Sequence, residues 1–135
     1  MQYVQIMPAG DLPGVVQSPC KVVLIVEAEI AADRRATICH WLLESGCLFL
    51  MAWGHDCADW AATMEQVNRA AHTTEEIPDD QLIITTAHAD ESLEQVFWFA
   101  KYTAMHPCAS LESIVLVHLA GQSAEKDLVN ILQRA

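Results

Sequence analysis

A chain of 135 residues with 53% hydrophobic residues and four tryptophans can bury the core of one domain, a composition that argues against intrinsic disorder. Its 18 acidic residues against 7 basic ones give a net charge of −11, which opposes direct DNA or RNA binding and suits contact with a basic protein. No apolar run reaches the ~20 residues of a membrane helix, and the start Met1-Gln-Tyr-Val-Gln-Ile-Met-Pro8 lacks the basic and apolar regions of a secretion signal, so a cytoplasmic location is expected.

Residues 1–19 hold three of the five prolines and two glycines and show no sustained period; they read as an extended lead-in with a short edge strand at Tyr3–Ile6. Val22–Val26 is a β-branched run of the kind that forms a strand buried on both faces. Ala31 to Glu44 carries Ile38, Trp41 and Leu42 at helical spacing, with Gly46 as the C-terminal stop. Leu48–Trp53 is the second strand of the regular part. Asp56 then suits an N-cap for a helix whose stripe is Trp60, Met64, Val67 and Ala71.

The polar run His72 to Asp80 contains Pro78 and reads as a loop. Leu82–Thr86 is the next strand, and Ser92 with Gln95 matches a capping box ahead of Leu93, Val96, Phe97, Ala100 and Ala104, a helix that Pro107 ends. Ile114–Leu119 is the last strand; Ser123 is placed to cap a final amphipathic helix bearing Leu128, Ile131 and Leu132. Residues 1–135 thus form a single domain in which 20–135 alternate β-α-β-α-β-α-β-α. That order specifies a three-layer α/β sandwich around a mainly parallel four-stranded sheet, Rossmann-like or flavodoxin-like.

In such a fold ligands lie beyond the carboxyl ends of the strands, and the notable polar residues of this chain cluster there. Val26 is followed by Glu27 and Glu29, Trp53 by Gly54-His55-Asp56-Cys57, Thr86 by His88-Ala-Asp90-Glu91, and Val117 by His118. Histidine beside carboxylate is the material of acid–base catalysis, and if the protein is an enzyme the candidates are His88, His118 and Asp56. Simpler roles compete. Asp56 caps a helix, Asp90 and Glu91 suit a helix N-terminus, His118 is a core residue bonded to backbone, and His55 is an exposed loop residue.

The specific motifs of other chemistries are missing. There is no H-E-x-x-H, and the pairs His55/Cys57 and His88/Asp90 are weak metal signals, so no metal is expected. The turn Glu27-Ala-Glu-Ile-Ala-Ala32 has no glycine-rich phosphate loop and would repel phosphate; no cofactor is expected. The five cysteines form no C-x-x-C pair and read as reduced, mostly buried thiols; Asp56 and Asp59 beside Cys57 oppose its use as a nucleophile. Phe97-Trp98-Phe99 cannot all face inward on one helix, which leaves Trp98, together with Trp53, as a candidate anchor at a protein interface.

The segments Met51-Ala-Trp-Gly-His-Asp-Cys-Ala-Asp-Trp60, Ile77-Pro-Asp-Asp80, Ile84-Thr-Thr-Ala-His88 and Val96-Phe-Trp-Phe-Ala-Lys101 resemble those of a small bacterial family of unassigned function, over roughly residues 20–120. The resemblance implies a bacterial origin and a stand-alone α/β domain, and no catalytic residue.

Two functional classes follow. The first, which charge and small size favour, is an acidic binding protein that neutralises a basic partner, most concretely an immunity protein of a bacterial toxin–immunity pair. Glu27, Glu29, Asp79, Asp80, Asp90 and Glu91 would supply its charge, and Trp98 and Trp53 its anchors. The second is a small enzyme or ligand-binding domain using the His and carboxylate edge. It requires His88, His118 and Asp56 to converge in one pocket.

Overall fold

The β-branched run of the first regular strand, β2 (Cys20–Val26), is buried along its whole length, as a central strand covered on both faces must be. The computed structural model describes residues 2–14, 18–72 and 76–135; the expected lead-in and polar loop fall partly outside them, at 1, 15–17 and 73–75. Among the described residues the remaining elements are β1 (Gln2–Ile6), α1 (Ala32–Glu44), β3 (Cys47–Gly54), α2 (Cys57–Ala70), β4 (Ile84–Ala87), α3 (Leu93–Tyr102), β5 (Ile114–Leu119) and α4 (Glu125–Arg134), with a short 3-10 turn at Asp79–Gln81.

The strands form one parallel sheet in the order β1-β5-β2-β3-β4. The fold is therefore the expected α/β sandwich with five strands rather than four. The extra member is the expected edge strand near Tyr3, which pairs in register with β5 from Gln2 opposite Val115 to Ile6 opposite Leu119.

Alternation along the strands divides the core in two. Val22, Leu24 and Val26 pack with Ile38, Cys39 and Leu42 of α1 and with Trp60, Met64 and Val67 of α2. Val23 and Ile25 pack on the other face with Val96, Phe97 and Ala100 of α3 and with Leu128 and Leu132 of α4. Each large side chain so buried contributes about 1.5–3 kcal/mol. The chain runs outward from β2 through β3 to β4 on one face and returns through α3 to β5 on the other. The direction of winding reverses between β2 and β5, which makes their carboxyl ends the topological switch point.

Two glycines are demanded by the backbone. Gly46 (φ 92°) and Gly54 (φ 101°) are left-handed, and a Cβ on Gly54 would lie 2.1 Å from the Val26 carbonyl oxygen.

Several local expectations are corrected. Asp56 is the N-cap residue of α2, but its own backbone is left-handed (φ 55°) and its side chain makes no capping bond. An N-cap presents its oxygen to the first turn from extended backbone, which Asp56 does not have. The residue before α4 is Ala124, not Ser123, and it too has no side-chain cap. Ser123 instead reaches the Tyr3 hydroxyl at 3.4 Å. Ala71 is exposed at the end of α2, and Asn68 takes an inward place on that helix.

Strand β4 begins at Ile84 rather than Leu82 because Asn68 captures the chain just before it. Its amide accepts from the Ile83 N–H at 3.0 Å and donates to the Gln81 carbonyl at 3.2 Å. The capping box of α3 forms as expected, Ser92 accepting from the Gln95 N–H and Gln95 from the Ser92 N–H.

Candidate functional site

The parallel register sets Gln5, His118, Ile25 and Trp53 in one row across β1, β5, β2 and β3, near the carboxyl ends of the strands. Side chains on a strand alternate faces, so His118 and Trp53 share with Ile25 the face covered by α3 and α4. Glu27, two residues beyond Ile25, stands at the top of this row between them. Its backbone is held there by its N–H, which donates to the Leu119 carbonyl at 3.0 Å.

His118 is 1% exposed, and both ring nitrogens are used. Nε2 lies 2.6 Å from Glu27 Oε2 and Nδ1 lies 2.7 Å from the Tyr3 hydroxyl. The network fixes the tautomer. The Glu27 carboxylate can only accept, so His118 donates Nε2–H to it, and Nδ1 of the neutral ring accepts the proton of the Tyr3 hydroxyl, whose oxygen accepts the Ala124 N–H at 3.1 Å. The expected backbone bond of His118 is thus replaced by two side-chain partners, because strands on either side of β5 bring Tyr3 and Glu27 to it. Tyr3 escaped sequence reasoning. It lies 115 residues from His118, and only strand pairing brings the two together.

His88 builds a second unit beyond β4 and is 5% exposed. Its Nδ1 is 2.8 Å from Glu91 Oε2 and its Nε2 is 2.7 Å from Thr86 Oγ1, so it carries its proton on Nδ1, the opposite tautomer to His118. Phe99 meets the ring edge-on at 5.0 Å between centroids. The backbone between the partners turns through Asp90, which is left-handed (φ 61°) and exposed. The Glu91 carbonyl also accepts the Trp53 indole N–H at 2.7 Å, joining this unit to the row on the sheet.

The three candidate catalytic residues therefore do not form one constellation. His88 and His118 bond to separate partners, and Asp56 is exposed at the start of α2. What the edge does present is carboxylate. The Glu27 side chain is 49% exposed and that of Glu91 39% exposed, each held from behind by a buried histidine. Asp79 and Asp80, though exposed, stand in the turn that precedes β4, at the opposite, amino end of the parallel sheet, whereas Glu29 is exposed on the carboxyl edge. A shallow crevice of about 360 Å³ opens here, lined by Val26, Glu27, Trp53, Gly54 and His55.

Trp98 lies elsewhere, on the outer side of α3. It is 54% exposed and contacts Tyr102, itself 56% exposed, with ring centroids 5.5 Å apart. Among the described residues no three His, Cys, Asp or Glu side chains are grouped as metal ligands, and no helix is long and apolar enough to cross a membrane.

Fold and edge together define a doubly wound α/β domain with a carboxylate-bearing switch point. The chain belongs to the family described as a domain of unknown function (DUF7684), whose model matches residues 1–135. No curated protein and no solved structure was found to match it.

Proposed function

We propose that this domain is an acidic binding protein whose carboxyl edge engages a basic protein partner, most concretely as an immunity protein that neutralises a basic bacterial toxin in the cytoplasm. The observation that supports this reading most is the direction in which the histidines work. Both are buried and spend each ring nitrogen inside the fold, holding Glu27 and Glu91 with their carboxylates turned to solvent. An acid–base catalyst needs a nitrogen facing its substrate; a charged binding surface needs carboxylates held in place, so that less freedom is lost on association.

Glu29 and Asp90 widen the acidic surface at this edge, Trp53 provides an aromatic anchor within it, and Asp79 and Asp80 add charge at the opposite end of the sheet. Trp98 with Tyr102 would form a second contact on α3. The test is capture of partners from the native host on immobilised protein. The reading expects a basic protein that elutes as salt rises and is lost when Glu29 and Asp90 are reversed to lysine. An acidic partner, or capture indifferent to salt and to those reversals, overturns it.

The enzyme or ligand-binding alternative draws on one observation, the place of Glu27 and His118 at the switch point. It would run through that pair rather than through His88 and Asp56. A thermal-shift screen of metals and small molecules tests it; a large stabilisation by one ligand would favour it over the binding protein.

A further inference from the structure

The crevice at the ends of β2 and β3 is selective in what it leaves unspent. The Trp53 indole N–H goes to the Glu91 carbonyl, the His118 Nε2–H to Glu27, the His55 backbone N–H to the Val26 carbonyl and the Glu27 N–H to the Leu119 carbonyl. These donors at and behind its walls are all committed within the fold. The functional groups facing the opening are the second carboxylate oxygen of Glu27, the indole ring of Trp53 and the exposed His55 side chain at the rim, with Gly54 adding no side chain between them. Glu27 and Trp53 together offer a cation both a charge partner and a π face.

We propose that this crevice receives the side chain of an arginine presented by a protein partner, its guanidinium lying on Trp53 and donating to Glu27. The inference rests on the binding-protein reading above and names the contact at its centre. Arginine fits better than lysine because a planar guanidinium can stack on an indole and donate in its own plane at once, whereas an ammonium is a point charge with tighter hydration. Both receiving groups are preorganised. Glu27 is held by a histidine that is 1% exposed, and Trp53 by a 2.7 Å bond to main chain, so little freedom is lost when the cation docks. The chain's net charge of −11 adds long-range attraction for a basic surface.

The test uses the full chain and a blocked Gly-Arg-Gly peptide, with lysine and citrulline counterparts and free agmatine, read by NMR at the Trp53 indole N–H and the Gly54 amide. The arginine peptide should shift both signals and bind several-fold better than the lysine peptide; citrulline, which is planar and uncharged, should have no effect. Glu27→Gln keeps an acceptor for His118 and removes the charge, and it should weaken the arginine peptide about tenfold, a difference of ~1.4 kcal/mol. Glu44→Gln, at the exposed end of α1, should leave it unchanged.

No shift at either signal, equal binding of citrulline, or shifts confined to Trp98 and Tyr102 would overturn the proposal. Agmatine binding about a hundredfold more tightly than the peptide would overturn its assignment to a protein side chain. The two readings fail separately. A captured basic partner whose affinity ignores Glu27→Gln sinks the crevice and spares the binding protein. Arginine-peptide binding without any captured partner does the reverse.

Discussion

Glu27 and His118, 91 residues apart in the chain, meet at 2.6 Å across the switch point, one half exposed and the other almost wholly buried. The asymmetry predicts unequal costs. Glu27→Gln should lower stability by under about 1 kcal/mol, since the half-exposed amide oxygen can still accept the His118 Nε2–H. His118→Leu should cost about 1–3 kcal/mol, because it strands the Tyr3 hydroxyl and removes a buried network. Urea unfolding of both variants measures the difference; equal losses would show that the pair does not behave as a buried residue supporting an exposed one.

Gly54 gives a sharper structural prediction. Its left-handed backbone and the 2.1 Å approach of a would-be Cβ to the Val26 carbonyl leave alanine no place without moving β2 or β3. Gly54→Ala should cost roughly 1–3 kcal/mol or more and broaden the Trp53 and His55 signals. An unperturbed melting temperature would mean the strand end relaxes freely.

Thiol chemistry should single out one cysteine. Cys20, Cys39, Cys47 and Cys57 are buried and Cys108 is exposed. Burial pushes the Cys39 thiol up to about 12, against the opposing pull of Arg35, and burial likewise raises Cys20 and Cys47. Iodoacetamide at pH 8 should therefore modify Cys108 in the native protein and the others only in denaturant, as mass spectrometry of the digested protein would report.

The same burial makes stability fall in alkali. A thiol whose folded value lies above its unfolded one keeps its proton in the native state. Its contribution is complete below the unfolded value of about 9 and is lost as pH climbs toward 12. Lys21 works with the opposite sign. It is buried with its ammonium 3.3 Å from the Ala104 carbonyl, and desolvation lowers its value below 10.5. Its charged form therefore opposes folding at neutral pH, and that penalty fades as pH rises toward 10.5. Lys21→Met should raise the melting temperature at pH 7, with a smaller gain near pH 10. A gain that grew with pH would contradict this account.

Exposed aromatic residues make the last prediction. Trp98→Ser with Tyr102→Ser removes solvent-facing rings from α3 and should change stability by no more than about 0.5 kcal/mol per site. Salt-sensitive partner capture should weaken if α3 is a second contact. Unchanged capture would confine the interface to the carboxyl edge.

Periodicity made the layered architecture legible because burial acts at every turn of a helix and every second residue of a strand. The run Ile114–Leu119 and the Ser92–Gln95 box are local signals and appear at those positions. Asp56 illustrates the limit. Its residue type says cap, while its left-handed backbone, just after a left-handed Gly54, removes the geometry a cap needs. The beginning of β4 was hidden for another reason, since Asn68 holds residues 81–83 through bonds across a long loop. His118 was visible as a candidate, but its partners were not. Glu27 and Tyr3 reach it through the strand order, and nothing near residue 118 encodes that order.

That strand order also carries a consequence for how the molecule comes into being. β1 is made before the other four strands, yet among the described residues its neighbour in the sheet is β5, the last of the five to be synthesised. The opening segment must therefore wait, unpaired, while the rest of the sheet is translated, and Tyr3 closes on His118 only afterwards. The hydrogen-bonded support beneath Glu27 is consequently a late event in biogenesis. A ribosome-bound chain can already have stacked α1 and α2 against β2 and β3 while its switch point is still unassembled.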